Sequence, residues 1–189
     1  MGKMTENPPA YDGFLKVYVV ETPQGPREVV YATDSISILL YNPDEKYLLL
    51  VRQPRAPMIS PDNPEGYLVE LVAGRFDVEL GAKALAVKEA AEEVGAIIEE
   101  SDVILLNGGK PLALSPGVLT ERAYLAMARV DVPYGEATDR VFGAADEGEE
   151  IQRIFMRFDE ITDYLNSGKC EDLRVFTLLS MLLMSEDFE

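Results

Sequence analysis

A chain of 189 residues and 20.9 kDa has room for one domain and a small appended element. Its 17 Lys and Arg face 34 Asp and Glu, a formal charge of −17, which argues against a nucleic-acid binder held by phosphate contacts. It has no histidine and one cysteine, Cys170, so disulfide frameworks, Cys-rich zinc sites, histidine-ligated metals and histidine-based nucleophile systems are all excluded.

Met1 to Asp12 is polar, carries Pro8-Pro9 and reads as a frayed end. No charged n-region precedes an apolar h-region, and no run of 18 apolar residues occurs; neither a secretory signal nor a spanning helix is expected, and the expected location is the cytoplasm. Lys16 to Glu21 and Arg27 to Thr33 alternate around Thr22-Pro23-Gln24-Gly25-Pro26, which predicts a hairpin. Strands are predicted over Ile36 to Tyr41, Tyr47 to Gln53 and Tyr67 to Val72, with a proline-rich loop from Pro54 to Gly66. Ala82 to Val94 is the clearest helix: it is Ala-rich, lacks Gly and Pro, and stops at Gly95. Ala84, Val87, Ala91 and Val94 fall on one face of it. Val103 to Leu106, Arg122 to Val130 and Glu150 to Phe158 read as strands, and Tyr134 to Gly148 as a loop. Asp159 is positioned to cap a short helix ending at Gly168. A terminal helix, Leu173 to Met184, presents Phe176, Leu179 and Leu183 on a face for core or dimer packing. Strands, one helix, strands and two helices in that order predict a mixed α+β sandwich.

The informative stretch is Gly74 to Ala96, GRFDVELGAKALAVKEAAEEVGA. Glu89, Glu92 and Glu93 stand three and four apart, so on a helix they crowd one sector and repel. A hard divalent cation reverses the sign of that term, because Mg²⁺ takes a few carboxylates plus waters and phosphate oxygens. From spacing alone the sector is either a solvated face or a magnesium platform.

This stretch resembles the Nudix box, G-x5-E-x7-R-E-U-x-E-E-x-G-U, with Gly74, Glu89, Glu92, Glu93 and Gly95 in place. Leu80 stands where the first glutamate belongs and Lys88 where the arginine belongs, while Ala90 and Ala96 fill the aliphatic positions with a small residue. The two departures are linked, since removing both members of a polar pair leaves no orphaned arginine, and a lysine can reach water. Leu50-Val51-Arg52-Gln53-Pro54-Arg55, Glu70 to Gly74, Ser115-Pro116-Gly117, Thr120-Glu121-Arg122 and Ala145 to Ile151 follow in an order similar to the ADP-ribose pyrophosphatase, or nucleotide-sugar diphosphatase, branch of the Nudix hydrolases. The likeness spans about residues 15 to 185.

The resemblance implies an α/β/α sandwich over residues 35–189, preceded by an N-terminal β element over 13–34 that serves as a dimer arm and by a flexible segment over 1–12. It implies Mg²⁺, or Mn²⁺, held by Glu89, Glu93 and the carbonyl of Ala73, with Glu149 as a further metal-linked carboxylate and Glu92 as a shared ligand. Glu147 would orient or deprotonate the attacking water, the choice between Glu147 and Glu149 as base staying open. Arg52 and Arg55 would meet the diphosphate or terminal sugar, with Glu70, Ser115 and Gly117 also contacting substrate. The implied reaction is hydrolysis of ADP-ribose to AMP and ribose 5-phosphate by a homodimer that needs neither nucleic acid nor membrane. Three alternatives remain: a degenerate domain that binds a nucleotide sugar with little turnover, a hydrolase of GDP-mannose or a UDP-sugar, and a nucleoside triphosphatase.

Overall fold

The computed structural model describes residues 8–76, 79–136, 141–143 and 150–185. Strands β1 (Tyr11–Asp12), β2 (Lys16–Thr22) and β3 (Gly25–Tyr31) form a small antiparallel sheet, so the appended element begins at Tyr11, slightly before the expected boundary. Val30 ties it to the main body: its N–H donates to the Val118 carbonyl at 2.8 Å, and its carbonyl accepts from the Thr120 N–H at 3.1 Å.

The main sheet is built around β4 (Ser35–Asn42) and β5 (Tyr47–Pro54). Both are buried along nearly their whole length, β5 as an apolar run and β4 with Ser35 and Ser37 between its isoleucines, because helices cover both faces. Ile36, Ile38, Leu40, Leu49 and Val51 enter one core, and Leu39, Tyr41, Leu48 and Leu50 enter the other. The two strands pair only through Leu40–Asn42 and Tyr47–Leu49. Beyond that they part, and β6 (Tyr67–Glu70) pairs with β5 while β7 (Val72–Arg75) pairs with β4. The single predicted strand over Tyr67 to Val72 is therefore two, broken at Leu71, because the chain must leave one parent strand for the other. Glu70 and Ala73 sit at this fork.

Helix α1 (Ala82–Val94) has the predicted bounds. Gly95 ends it at φ 67°, with the Ala96 N–H returning to the Ala90 carbonyl at 2.9 Å and the Gly95 N–H to Ala91 at 3.2 Å. Its buried face overlaps the predicted one only in part: Val94 is buried and Val87 packs against the core, as predicted, but the face is centred elsewhere. Leu85, Ala86, Ala90, Glu93 and Val94 point inward, and Ala91 faces solvent. Alanines surround this helix, so their spacing is nearly neutral, and the large Leu85 decides the rotation.

Strands β8 (Ile104–Leu105) and β9 (Leu112–Ala113) pair with β10 (Arg122–Arg129), which lies parallel to β4. Strand β11 (Val141–Phe142) lies inside the predicted Tyr134–Gly148 loop and pairs with β12 (Ile151–Arg157), which continues onto β5. Two-residue strands such as β9 and β11 are too short to show a period of two. A 3₁₀ turn over Phe158–Glu160 places Asp159 within the turn rather than at a helix cap. Helices α2 (Ile161–Asn166) and α3 (Leu173–Leu183) pack on the sheet face opposite α1. On α3 the buried residues are Val175, Leu178, Leu179 and Leu182; of the face predicted for core or dimer packing, Leu179 is buried and Leu183 packs on the core, while Phe176 is 46% exposed. The series from Val175 fits the helical period as well as that from Phe176, and it is the one that meets the core beneath the sheet. The result is an α/β/α sandwich of a mixed sheet, as expected. No helix among the described residues is long and apolar enough to cross a membrane.

Candidate active site

A cleft of about 710 Å³ opens at the fork, between β7, α1 and the N-terminus of α3. One wall is acidic. Glu93, buried by its position on the inward face of α1, accepts a hydrogen bond from the Ala73 N–H at 3.0 Å. The Glu89 carboxylate lies over Gly74, where any Cβ would collide with it. A glycine there makes room for the acid. Glu92 is one turn from Lys88, whose Nζ lies 2.6 Å from Glu92 Oε2 and 3.4 Å from Glu89 Oε1. Hydrogen bonding to Glu92 raises the Lys88 pKa well above the ordinary lysine range, so the ammonium stays charged. The lysine at the arginine position therefore neutralises part of the acidic crowd while its side chain stays 41% exposed to water.

The opposite wall is a network of alternating charge. Glu70 is 3% exposed and accepts from Arg55 Nε at 2.6 Å and from an Arg174 terminal nitrogen at 3.0 Å. Arg174 also pairs with Asp172 at 2.7 Å. Asp172 caps α3 by accepting from the backbone N–H groups of Arg174 and Val175 at 2.7 and 2.9 Å. Burial opposes the charge of the Asp172 carboxyl, but the Arg174 guanidinium and these N–H groups outweigh it and hold its pKa below the usual carboxylate range. A buried carboxylate such as Glu70 is tolerable only with partners of this kind.

Of the residues expected from sequence, the fold gathers Ala73, Glu89, Glu92, Glu93, Arg55 and Glu70 around the cleft. Arg52 lies outside it, stacked on the Tyr67 ring at 3.7 Å and bonded to Gln152 at 3.0 Å. Ser115 and Gly117 stand in a turn before β10, where the Ser115 carbonyl accepts from Val118 and Leu119; their neighbour Leu114 is the one at the cleft. Glu147 and Glu149 lie outside the described residues. The fold adds Asp172, Arg174, Ser35 and Glu121, the last two joined at 2.7 Å. An Asp immediately before an apolar helix was the readable signal for the first of these. Cys170 is partly buried, and burial raises its thiol pKa, in keeping with an incidental residue.

Among the described residues no three acidic or thiol groups converge closely enough to form a metal site by themselves. The donor set nevertheless fits a hard cation in kind: carboxylate oxygens on one face of a helix, above a backbone kept bare by Gly74. Such an ion would complete its shell with water and phosphate oxygens.

No protein-family model matches the chain. Individual relatives do. It is 30% identical over 159 residues to the GDP-mannose pyrophosphatase of Enterobacter sp. (strain 638), covering 84% of this chain and 78% of that protein. It is 31% identical over 156 residues to that of Cronobacter sakazakii, covering 82% and 76%. It is 32% identical over 159 residues to that of Salmonella paratyphi B, covering 84% and 78%.

Proposed function

Because the chain belongs to the Nudix hydrolase family, we propose that it splits the diphosphate bond of a nucleotide sugar into a nucleoside monophosphate and a sugar phosphate. The observation that carries this is the pairing of opposite walls across one cleft: Glu89, Glu92 and Glu93 on one side, Arg55 and Arg174 on the other. A diphosphate needs both a cation and planar donors, and arginine supplies the donors in a fork that matches phosphate oxygens. Glu70 and Asp172 hold the two guanidinium groups in place before substrate arrives. A Mg²⁺ or Mn²⁺ ion held by Glu89, Glu93 and the Ala73 carbonyl would neutralise phosphate charge and acidify a bound water. A carboxylate would accept the proton of the attacking water, and Glu147 and Glu149 are our candidates for it, with Glu92 beside them in role.

For the sugar, GDP-mannose comes first, because the relatives reported above carry that name. ADP-ribose, which the order of motifs favours, comes second. The pair between Lys88 and Glu92 supports a competing reading, a domain that binds a nucleotide sugar and turns it over slowly. Exposed apolar residues of the N-terminal element, Tyr11 and Val19 on its strands and Phe14 and Leu15 in the link between them, support a homodimer formed through that element.

Release of phosphate monoester from GDP-mannose, ADP-ribose and UDP-glucose, with and without Mg²⁺, tests the reading. We expect cation-dependent turnover of at least one of them, lowered about 100-fold or more in Glu93→Gln. Tight binding without turnover would favour the slow binder, and a faster rate on a nucleoside triphosphate would overturn the substrate class.

A further inference from the structure

Arg153 is a buried cation outside the cleft. It lies opposite Val51 in the β12–β5 ladder, and its side chain is 4% exposed. One terminal nitrogen donates to the carbonyl of Val94 at 3.0 Å. Val94 is the last residue of α1, and its carbonyl belongs to the turn that a helix leaves without internal partners. The other terminal nitrogen donates to the Glu136 carbonyl and lies 3.8 Å from the Glu136 carboxylate. The guanidinium also lies 5.2 Å from the centre of the Phe142 ring and 5.1 Å from that of Phe155.

Two further contacts meet at the same joint. The Gly143 N–H donates to the Glu92 carbonyl at 3.3 Å. Phe142 lies so near Gly95 that a Cβ there would stand 3.1 Å from the ring. The last turn of α1, which carries Glu92 and Glu93, is therefore pinned against the β11–β12 edge of the sheet. Burying an arginine is expensive, and an apolar side chain of similar size can fill such a site with equal or greater stability. An apolar side chain cannot hold a helix-end carbonyl at a fixed distance, and a positive charge at a helix C-terminus also meets the negative end of the helix dipole.

We propose that Arg153 is a positioning residue. It fixes the axial placement of α1 against the sheet and so sets Glu89 and Glu93 relative to Ala73 for cation binding. This rests on the hydrolase reading above, and the ion is the link between the two. Displacements near 1 Å are enough to cost catalysis about 100-fold, and partners that orient metal ligands contribute about 10- to 100-fold.

The experiment compares the full chain with Arg153→Met and Arg153→Lys. The folded state is checked by circular dichroism, Mn²⁺ binding is measured by electron paramagnetic resonance without substrate, and kcat and KM are measured separately. Arg153→Met should stay folded, bind Mn²⁺ about 10-fold more weakly and lose about 10-fold or more in kcat, with KM within about threefold. Arg153→Lys keeps a donor within reach of Val94 and should recover part of both losses. Should the Met variant fail to fold, the Lys variant alone decides, through intermediate Mn²⁺ affinity. Variants that match the parent within about twofold in Mn²⁺ affinity and kcat overturn the role. A parent that binds Mn²⁺ but hydrolyses no nucleotide sugar overturns the hydrolase reading, while the Mn²⁺ arm still judges Arg153. A parent that binds no Mn²⁺ overturns both.

Discussion

Gly74 shows how one residue can constrain the acidic wall. Any side chain there meets the Glu89 carboxylate. Gly74→Ala should therefore leave melting nearly unchanged yet lower cation-dependent turnover about 10-fold or more by displacing that acid. Equal activity in the variant would show that Glu89 has no fixed place over the strand. At this scale the sequence was most informative where spacing alone sufficed. Glu89, Glu92 and Glu93 could be read as neighbours because a helix guarantees it. Arg174 could not be read as part of the cleft, because Asp172 is its local partner two residues away but Glu70 meets it only through packing between α3 and the fork in the sheet. Arg52 and Arg55 stand three apart in sequence, and only Arg55 reaches Glu70, whereas Arg52 stacks on Tyr67.

At the scale of elements, α3 is joined to the cleft by its cap. Asp172 gains a pKa below the usual carboxylate range on folding, so its contribution is present above the unfolded value near about pH 4 and is lost as pH falls through the folded value. Asp172→Asn should cost about 1–3 kcal/mol at neutral pH, because Arg174 loses the nearer of its two charged partners and keeps only Glu70. The gap in thermal stability between parent and variant should close as the pH is lowered below about 4. A gap that stays constant between neutral and acidic pH would mean that the charge pair contributes nothing. The bounds of α1 were legible to the residue, because Gly95 and the run without Gly or Pro mark them locally. Its rotation was legible only in part: Val87 and Val94 do meet the core, whereas Ala91 fits the same period and faces solvent because Leu85 shifts the centre of the buried face. The division of β6 from β7 was hidden for a different reason: it depends on two parent strands parting, which leaves no mark in a short apolar run.

For the molecule as a whole, a charge of −17 sets the task. An anionic substrate approaches a repelling surface, so a cation and the Arg55–Arg174 wall must supply local attraction. High salt should thus raise KM only modestly, because the global field and the local field oppose each other. The N-terminal element exposes Tyr11 at 60% on β1 and Phe14 at 91% in the link to β2, where it also borders the cleft. Phe14→Ser should shift the chain from dimer to monomer in analytical ultracentrifugation; a dimer of unchanged stability would place the interface elsewhere. The sandwich itself was legible from the order of strands and helices, whereas the cleft emerges only once the fork and α3 are brought together.

The most direct test is a crystal structure with Mn²⁺ and a non-hydrolysable analogue of GDP-mannose. The account predicts an anomalous peak at the carboxylates of Glu89 and Glu93, with the diphosphate between that peak and the guanidinium groups of Arg55 and Arg174. A diphosphate bound elsewhere, or an ion seated away from α1, would contradict it.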